Sequence, residues 1–254
     1  MSEDAKPKCI AELSQSQLVR WVIEGFRCTM IHYGYWFREV ESRLGFERAA
    51  EAEATAGDRV MGIVMRRLGA AMGFEVDDRG YPAALTAMSR EELLSLIDAV
   101  CANWLANDGV WFREVEKPFG MVSAKHANDM CWGRFSLYEA FRIKRFLELP
   151  KLPGLDGLKT ALAFRMYSRI NKQSIEDVDE HSFIFRMEEC RVQMSRKRKG
   201  LPDYPCKSAG MIEYPYFASA IDPGIETECI GCPPDRHPEG WFCAWKFMLK
   251  PRGR

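Results

Sequence analysis

The pattern of hydrophobic and polar positions repeats itself in the first half of the chain. The segment GYWFREVE at 34–41 returns 75 positions later as GVWFREVE at 109–116. The same shift aligns about 14–72 with about 89–147, which predicts an internal duplication. In both copies apolar residues recur at steps of three and four, so each copy is predicted to start with a long amphipathic helix.

Local signals predict where these helices begin and end. Gly45 and Gly120 occupy equivalent positions, and glycine is the usual residue just past a helix end. Ser89 with Glu92 three residues later matches a capping box, which predicts that a helix opens the second copy there.

A second helix is predicted in each copy, over about 47–71 and 122–147. Two such hairpins are expected to pack as a four-helix assembly. In that assembly Trp36 and Trp111 are expected to be buried at equivalent positions.

The pattern changes after two prolines and a glycine near residue 150, which mark a predicted boundary. Beyond it, the pattern predicts helices over about 156–171 and 208–221. Alternating hydrophobicity predicts three strands: one that starts near 183 and continues through Cys190, one over about 225–230 and one over about 241–249. We therefore predict an α+β protein, with a duplicated helical half over 1–150 and a small metal-binding α/β half over 151–254.

Charge and hydropathy narrow the class of protein. The 254 residues carry 36 basic and 36 acidic side chains, and this balance argues against a protein that binds nucleic acid phosphates. No apolar run is long enough to span a membrane, and no secretory signal opens the chain. The expected compartment is the cytoplasm, where the nine cysteines should be reduced.

Four of these cysteines have a spacing that is typical of a metal site. Cys229 and Cys232 form a C-x-x-C pair, with Cys206 upstream and Cys243 downstream. Four thiolates of this kind can surround one zinc ion as a tetrahedron. An iron–sulfur cluster is the alternative cofactor, since it also takes four cysteines. Unliganded core thiols and a redox-active C-x-x-C pair remain open as well.

His237 lies between Cys232 and Cys243 at nearly the spacing of a zinc knuckle that binds single-stranded nucleic acid. The surrounding charge is not basic, so a solvent-exposed loop histidine is the preferred interpretation.

Five residues are candidates for substrate chemistry. Asp108 interrupts the apolar face of the second copy, where it could be a carboxyl group with a raised pKa or a cap at a helix break. Arg191 and Gln193 would share a polar strand face, where Arg191 could hold a carboxylate. We expect them to face Asp108 or Glu116 across a pocket, with Trp111 as an apolar wall.

The chain as a whole resembles an uncharacterised bacterial family described only as "cytosolic protein". The resemblance depends on the two tryptophan-containing repeats, on Tyr204-Pro-Cys206 and on Cys229-x-x-Cys232 with its following Pro-Pro-Asp. Residues 181–249 more distantly resemble the 4-vinyl reductase domain and the L-2-amino-thiazoline-4-carboxylic acid hydrolase family. That resemblance implies zinc beside a small-molecule pocket, with Glu226 as a possible acidic ligand.

Two functions follow as expectations. The first is a metal-containing enzyme that acts on a small anionic organic molecule, with hydrolysis of a C–N or C–S bond as the expected reaction. The second is a small-molecule-binding or sensing module whose metal is purely structural. The second usually needs an output domain with a basic surface, and no such charge pattern is present in this sequence.

Overall fold

The computed structural model describes residues 7–250. The chain divides into two compact units, Met1–Pro82 and Ala83–Arg254, here called the N-terminal and C-terminal units. The predicted boundary near residue 150 is therefore not where the compact units divide, because the second helical copy lies in one unit with the sheet. The described helices are α1 Gln15–Leu44, α2 Phe46–Met72, α3 Ala83–Thr86, α4 Arg90–Phe146, α5 Gly154–Phe164, α6 Arg191–Arg198 and α7 Lys207–Ile221.

The helix ends confirm the local signals of the duplication. Ser14 and Ser89 both cap their helices with a capping box. The side-chain oxygen of each serine accepts a hydrogen bond from the backbone N–H of the residue three positions on, and that residue's side chain accepts one from the serine N–H. Gly45 separates α1 from α2 with φ 84° and ψ 163°. Gly120 interrupts α4 with φ 80° and ψ 167°, so α4 is two helices joined at a kink. The two copies thus share one helix–glycine–helix geometry.

The prediction that Trp36 and Trp111 are buried is wrong, since their side chains are 64% and 61% exposed. The side of α1 that is partly covered carries Tyr33, Phe37 and Val40. Consecutive helical residues point about 100° apart, so the tryptophan before Phe37 falls outside that side. The two copies lie in different units, and their four-helix assembly stays a prediction.

The C-terminal unit contains a four-stranded antiparallel sheet of order β1-β2-β4-β3. Its strands are β1 Lys172–Asp179, β2 Ser182–Glu189, β3 Ile225–Gly231 and β4 Cys243–Leu249. The α+β class is confirmed. Strand β1 was not predicted, because only Ile175 and Val178 of its eight residues are apolar and they do not alternate. The helix expected up to residue 171 ends at Phe164 and gives way to a 3-10 turn over Met166–Arg169.

The core lies where α7 packs on the central strands. Phe185 pairs with Trp245 across β2 and β4, and both side chains are buried. Tyr214 of α7 stacks on Trp245 with 4.6 Å between ring centroids. A Cβ on Gly210 would lie 2.5 Å from the Trp245 ring, so only glycine permits this close approach. The packing fixes the start of α7 beside the end of the sheet.

The prediction of a strand through Cys190 is wrong beyond that residue, because 191–198 forms α6. The run is rich in arginine, lysine, methionine and glutamine, which favour helix. A segment of eight residues is too short for its apolar spacing to separate a strand from a helix. No helix within residues 7–250 is both long enough and apolar enough to cross a membrane.

Candidate functional site

A cavity of about 470 Å³ lies within the C-terminal unit, between α4, α6, α7 and one end of the sheet. Four cysteines line it, and we call it the thiol cavity: Cys190, Cys206, Cys232 and Cys243. Its other walls combine aromatic and apolar side chains with a few charged groups. A cavity of this size and mixed lining suits a small organic ligand.

Two of these thiols are in contact, since the Sγ atoms of Cys206 and Cys232 lie 3.7 Å apart. Cys206 is the N-cap residue of α7, and its carbonyl accepts the first helical hydrogen bond from Gly210. Cys232 directly follows β3. The backbone N–H of Lys207 donates to the carbonyl of Pro233 at 2.8 Å, which ties the two segments together beside the thiols.

The surroundings of Cys206 favour its thiolate. The hydrogen bond from Cys232 lowers the pKa of the Cys206 thiol, against the opposing effect of burial. The Gln193 amide, 3.3 Å from Cys206 Sγ, and the charge of Lys125 lower that pKa further. A position at the N-terminus of a 15-residue helix is also one where a negative charge is stabilised. By contrast, burial raises the pKa of Cys190 to about 12.

Gln193 holds the loop that carries Cys206. Its amide oxygen accepts from the backbone N–H of Tyr204 at 2.8 Å, and its amide nitrogen donates to the Tyr204 carbonyl at 2.9 Å. The side chain is buried, with 1% of its surface exposed. Its polar atoms are therefore engaged inside the protein, and the geometry gives it a positioning role rather than the substrate contact expected from the sequence.

Asp108 lies on the cavity wall in the middle of the first part of α4. The backbone there is helical, so the alternative prediction of a cap at a helix break is wrong. Asn128 Nδ2 donates to Asp108 Oδ1 at 2.8 Å. Burial raises the pKa of the Asp108 carboxyl, although the bond from Asn128 and the charge of Lys125 oppose that effect. The carboxyl group is thus held toward its protonated form beside the cavity.

The same pair of positions is bonded in the first copy. Tyr33 Oη donates to Glu53 Oε1 at 2.7 Å, and these residues are the counterparts of Asp108 and Asn128 in the duplication. In the second copy the pair is extended, because Tyr204 Oη lies 3.5 Å from Asn128 Oδ1. The duplicated hairpin therefore links the Asp108 carboxyl to the loop before Cys206.

A buried ion cluster supports another wall of the thiol cavity. Arg165 is 2% exposed and pairs with Glu139 and Glu213, each at 2.7 Å. Glu213 lines the cavity, and burial raises the pKa of its carboxyl against the opposing charge of Arg165. Arg165 also lies over the ring of Phe217, 4.5 Å from its centroid. No sequence pattern indicates this cluster, because its members lie far apart along the chain.

The predicted metal ligands are brought together only in part. Cys206, Cys232 and Cys243 line the cavity, whereas Cys229 lies on β3 and does not. No group of three or more His, Cys, Asp or Glu side chains within residues 7–250 is arranged to hold a metal ion. His237 bonds Asp203 at 2.9 Å on the surface. The zinc and iron–sulfur assignments stay predictions.

Of the three remaining predicted residues, two line the thiol cavity and one does not. Glu116 and Arg191 both line the thiol cavity, Arg191 at its exposed edge. Trp111 does not line it, and Phe112 and Trp132 form the aromatic wall instead. Phe112 follows Asp108 by four residues and so shares its side of the helix, which was a sequence signal that could have identified this wall.

Comparisons with known proteins give a family without an activity. The model of a family of unknown function, DUF6125, matches residues 86–249, which is well over half of the chain and nearly all of the C-terminal unit. Neither the curated proteins nor the solved structures contain a match.

Proposed function

We propose a function from the thiol cavity itself, since this chain belongs to the DUF6125 family, whose function is unknown. The proposal is an enzyme that acts on a small anionic organic molecule, with Cys206 as its nucleophile. The observation that carries it is the contact between Cys206 and Cys232, 3.7 Å apart, on the wall of a ligand-sized cavity. A cysteine at a helix N-terminus that receives hydrogen bonds is set up as a thiolate.

Hydrolysis of a C–N or C–S bond is the proposed reaction. The Cys206 thiolate attacks the carbon, the bond to nitrogen or sulfur breaks, and the leaving group takes a proton from Asp108. Water then attacks the resulting acyl or imidoyl thioester, its hydroxyl goes to the carbon, its other proton returns to Asp108, and sulfur leaves as the Cys206 thiolate. The raised pKa of Asp108 supports the first transfer, because a protonated carboxyl is needed there.

The other lining residues have supporting roles in this proposal. Arg191 at the cavity edge would hold the anionic group of the substrate through its guanidinium. Glu116, two helical turns from Asp108, is the second carboxyl that could exchange a proton. The resemblance of residues 181–249 to L-2-amino-thiazoline-4-carboxylic acid hydrolases is the reason for naming C–N and C–S bonds. The comparisons show only the DUF6125 family.

The test is selective alkylation of the native protein. Iodoacetamide is added under anaerobic conditions at pH 7, and peptide mass spectrometry follows each thiol with time. Cys206 is expected to react ahead of the exposed Cys28, despite being less accessible, because its surroundings favour the thiolate. Cys206→Ser should remove the fast reaction, and Cys28→Ser, the same change at a surface thiol, should leave it.

A structural metal is the second candidate, in a small-molecule-binding or sensing module. It is supported by the same distance, because two sulfurs on a tetrahedral zinc with bonds of about 2.3 Å lie about 3.8 Å apart. Metal analysis of anaerobically purified protein separates the two candidates. One zinc per chain, with Cys206 protected from alkylation until a chelator is added, would overturn the nucleophile proposal. Broad visible absorption would identify an iron–sulfur cluster instead.

A further inference from the structure

A second, shallow cavity of about 530 Å³ lies beside the thiol cavity, and we call it the side cavity. Arg191 and Asn171 line both cavities. Arg191, Met194 and Arg198 of α6 face the side cavity, while Gln193, Arg196 and Lys199 of the same segment face the thiol cavity. This segment therefore forms the ridge between the two cavities.

The side cavity is strongly cationic. Four basic residues line it, against the single carboxylate of Glu189: Arg169, Lys172, Arg191 and Arg198. Arg169 is already bound to Asp98 at 2.7 Å, and Lys172 pairs with Glu188 at 3.1 Å.

The two remaining basic residues of the side cavity, Arg191 and Arg198, have no ion-pair partner: among residues 7–250, no carboxylate forms an ion pair with either of them. Two guanidinium groups without a partner in one cavity can accept an oxyanion with several donors each. They lie seven residues apart on α6, which is about 10 Å along a helix axis.

We infer that the substrate has two parts, a reactive head in the thiol cavity and an oxyanion tail that extends past Arg191 to Arg198. The tail carries a phosphate or carboxylate group. This inference rests on the proposed function, because it places the head beside Cys206. It goes further by giving the ligand its length and a second point of recognition outside the thiol cavity.

The test uses two thiol reagents of matched size. One is an iodoacetamide that carries a naphthalenesulfonate at its far end, and the other has the same naphthyl group without the sulfonate. The ratio of their alkylation rate constants is measured at Cys206 and, as an internal reference, at the exposed Cys28. The ratio is expected to be higher at Cys206 and to fall as salt is added.

Variants then locate the tail. Arg191→Gln and Arg198→Gln should each lower the ratio at Cys206 about two- to fivefold, the loss of one partly exposed ion pair. Arg145→Gln is the matched control, since Arg145 is exposed and lines neither cavity. Phosphate and acetate, added at equal ionic strength, distinguish the two tail chemistries by which one slows the sulfonate reagent more.

The outcomes separate the inference from the function on which it rests. A ratio at Cys206 equal to that at Cys28 would show that no oxyanion site is present. A ratio that falls in Arg191→Gln but not in Arg198→Gln would confine the anion to the thiol cavity, and the two-part substrate would be wrong. If metal-free protein shows no alkylation of Cys206 by either reagent, the proposed function fails and this inference fails with it.

Discussion

The glycines that end the first helix of each copy offer a quantitative test of the duplication. Gly45 and Gly120 have φ values of 84° and 80° with nearly equal ψ, a conformation that residues with a Cβ rarely adopt. A Cβ at either position would meet nothing within 4 Å. Alanine should therefore cost only the backbone strain, about 1–3 kcal/mol of unfolding free energy at each site.

Changing glycine to alanine should have the opposite effect on stability about three turns earlier in each helix. Gly34 and Gly109 are also equivalent, but both lie inside helices, and a Cβ there also meets nothing within 4 Å. Alanine removes the conformational cost of a helical glycine, so each change should stabilise by about 0.5–1 kcal/mol. The expected difference between the two kinds of site is about 1.5–4 kcal/mol in each copy.

The measurement is urea unfolding of the four single variants, followed by circular dichroism. Because the two units can unfold separately, each variant is compared with the wild type in the transition of its own unit. Gly45→Ala and Gly120→Ala should lower the midpoint, while Gly34→Ala and Gly109→Ala should raise it, with unchanged slopes. Equal effects at Gly109 and Gly120 would contradict the helix–glycine–helix geometry of the second copy.

Three further predictions concern the C-terminal unit. Arg165→Met should lower the unfolding free energy by about 3–5 kcal/mol, because it leaves two buried carboxylates without their cation; a loss under 1 kcal/mol in thermal or urea unfolding would contradict the cluster. Trp132→Ala should cost about 3–5 kcal/mol, since Trp132 is 7% exposed, whereas Trp111→Ala should change stability by about 0.5 kcal/mol or less; comparable losses would mean that the exposed indole is covered. Asp108 has a folded-state pKa above its ordinary 3.8, so the folded protein binds this proton more tightly than the unfolded chain does. The contribution of Asp108 to the free energy of unfolding therefore falls as the pH rises from the ordinary pKa through the raised one. Asp108→Asn lacks this loss and should therefore gain stability relative to the wild type from pH 4 to pH 8, a trend that urea midpoints at both values would detect.

The parts of the fold that the sequence predicted are those encoded by short-range chemistry. Capping boxes and helix-ending glycines act through neighbouring backbone groups, so Ser89 and Gly120 were identifiable without any tertiary information. Alternation likewise identified β2 and β4, since both present one buried face to α7.

The parts that could not be predicted depend on contacts between distant residues. The segment after Cys190 fits either a strand or a helix, and Gln193 becomes buried only because the Tyr204 loop supplies its partners. The amphipathic pattern predicted an apolar side on α1 but not which flank stays exposed, so Trp36 was misplaced. The sequence motif links Cys229 with Cys232, whereas in the structure Cys232 contacts Cys206. This contact depends on how α7 packs on the sheet.

The two copies differ most where the second one borders the thiol cavity. In the first copy, Ala50 and Ala54 are buried small residues on α2. Their counterparts in the second copy are Lys125 and Asp129, which form an ion pair of which little is exposed. At two further positions, Asp108 and Asn128 stand where the first copy has Tyr33 and Glu53. Four polar side chains therefore lie where the two helices of the second copy pack together: Asp108, Lys125, Asn128 and Asp129.

Small apolar residues such as Ala50 and Ala54 close the first hairpin at lower cost than a buried ion pair, so packing alone does not require the Lys125–Asp129 pair of the second. The lowered pKa of Cys206 depends in part on Lys125, and the raised pKa of Asp108 depends on its burial in that interface. The helix caps and glycine break are common to both copies and maintain the scaffold. The Lys125–Asp129 pair has no counterpart in the first copy, and it lies in the copy that shares a unit with the sheet and its thiols, where the charge of Lys125 acts on Cys206.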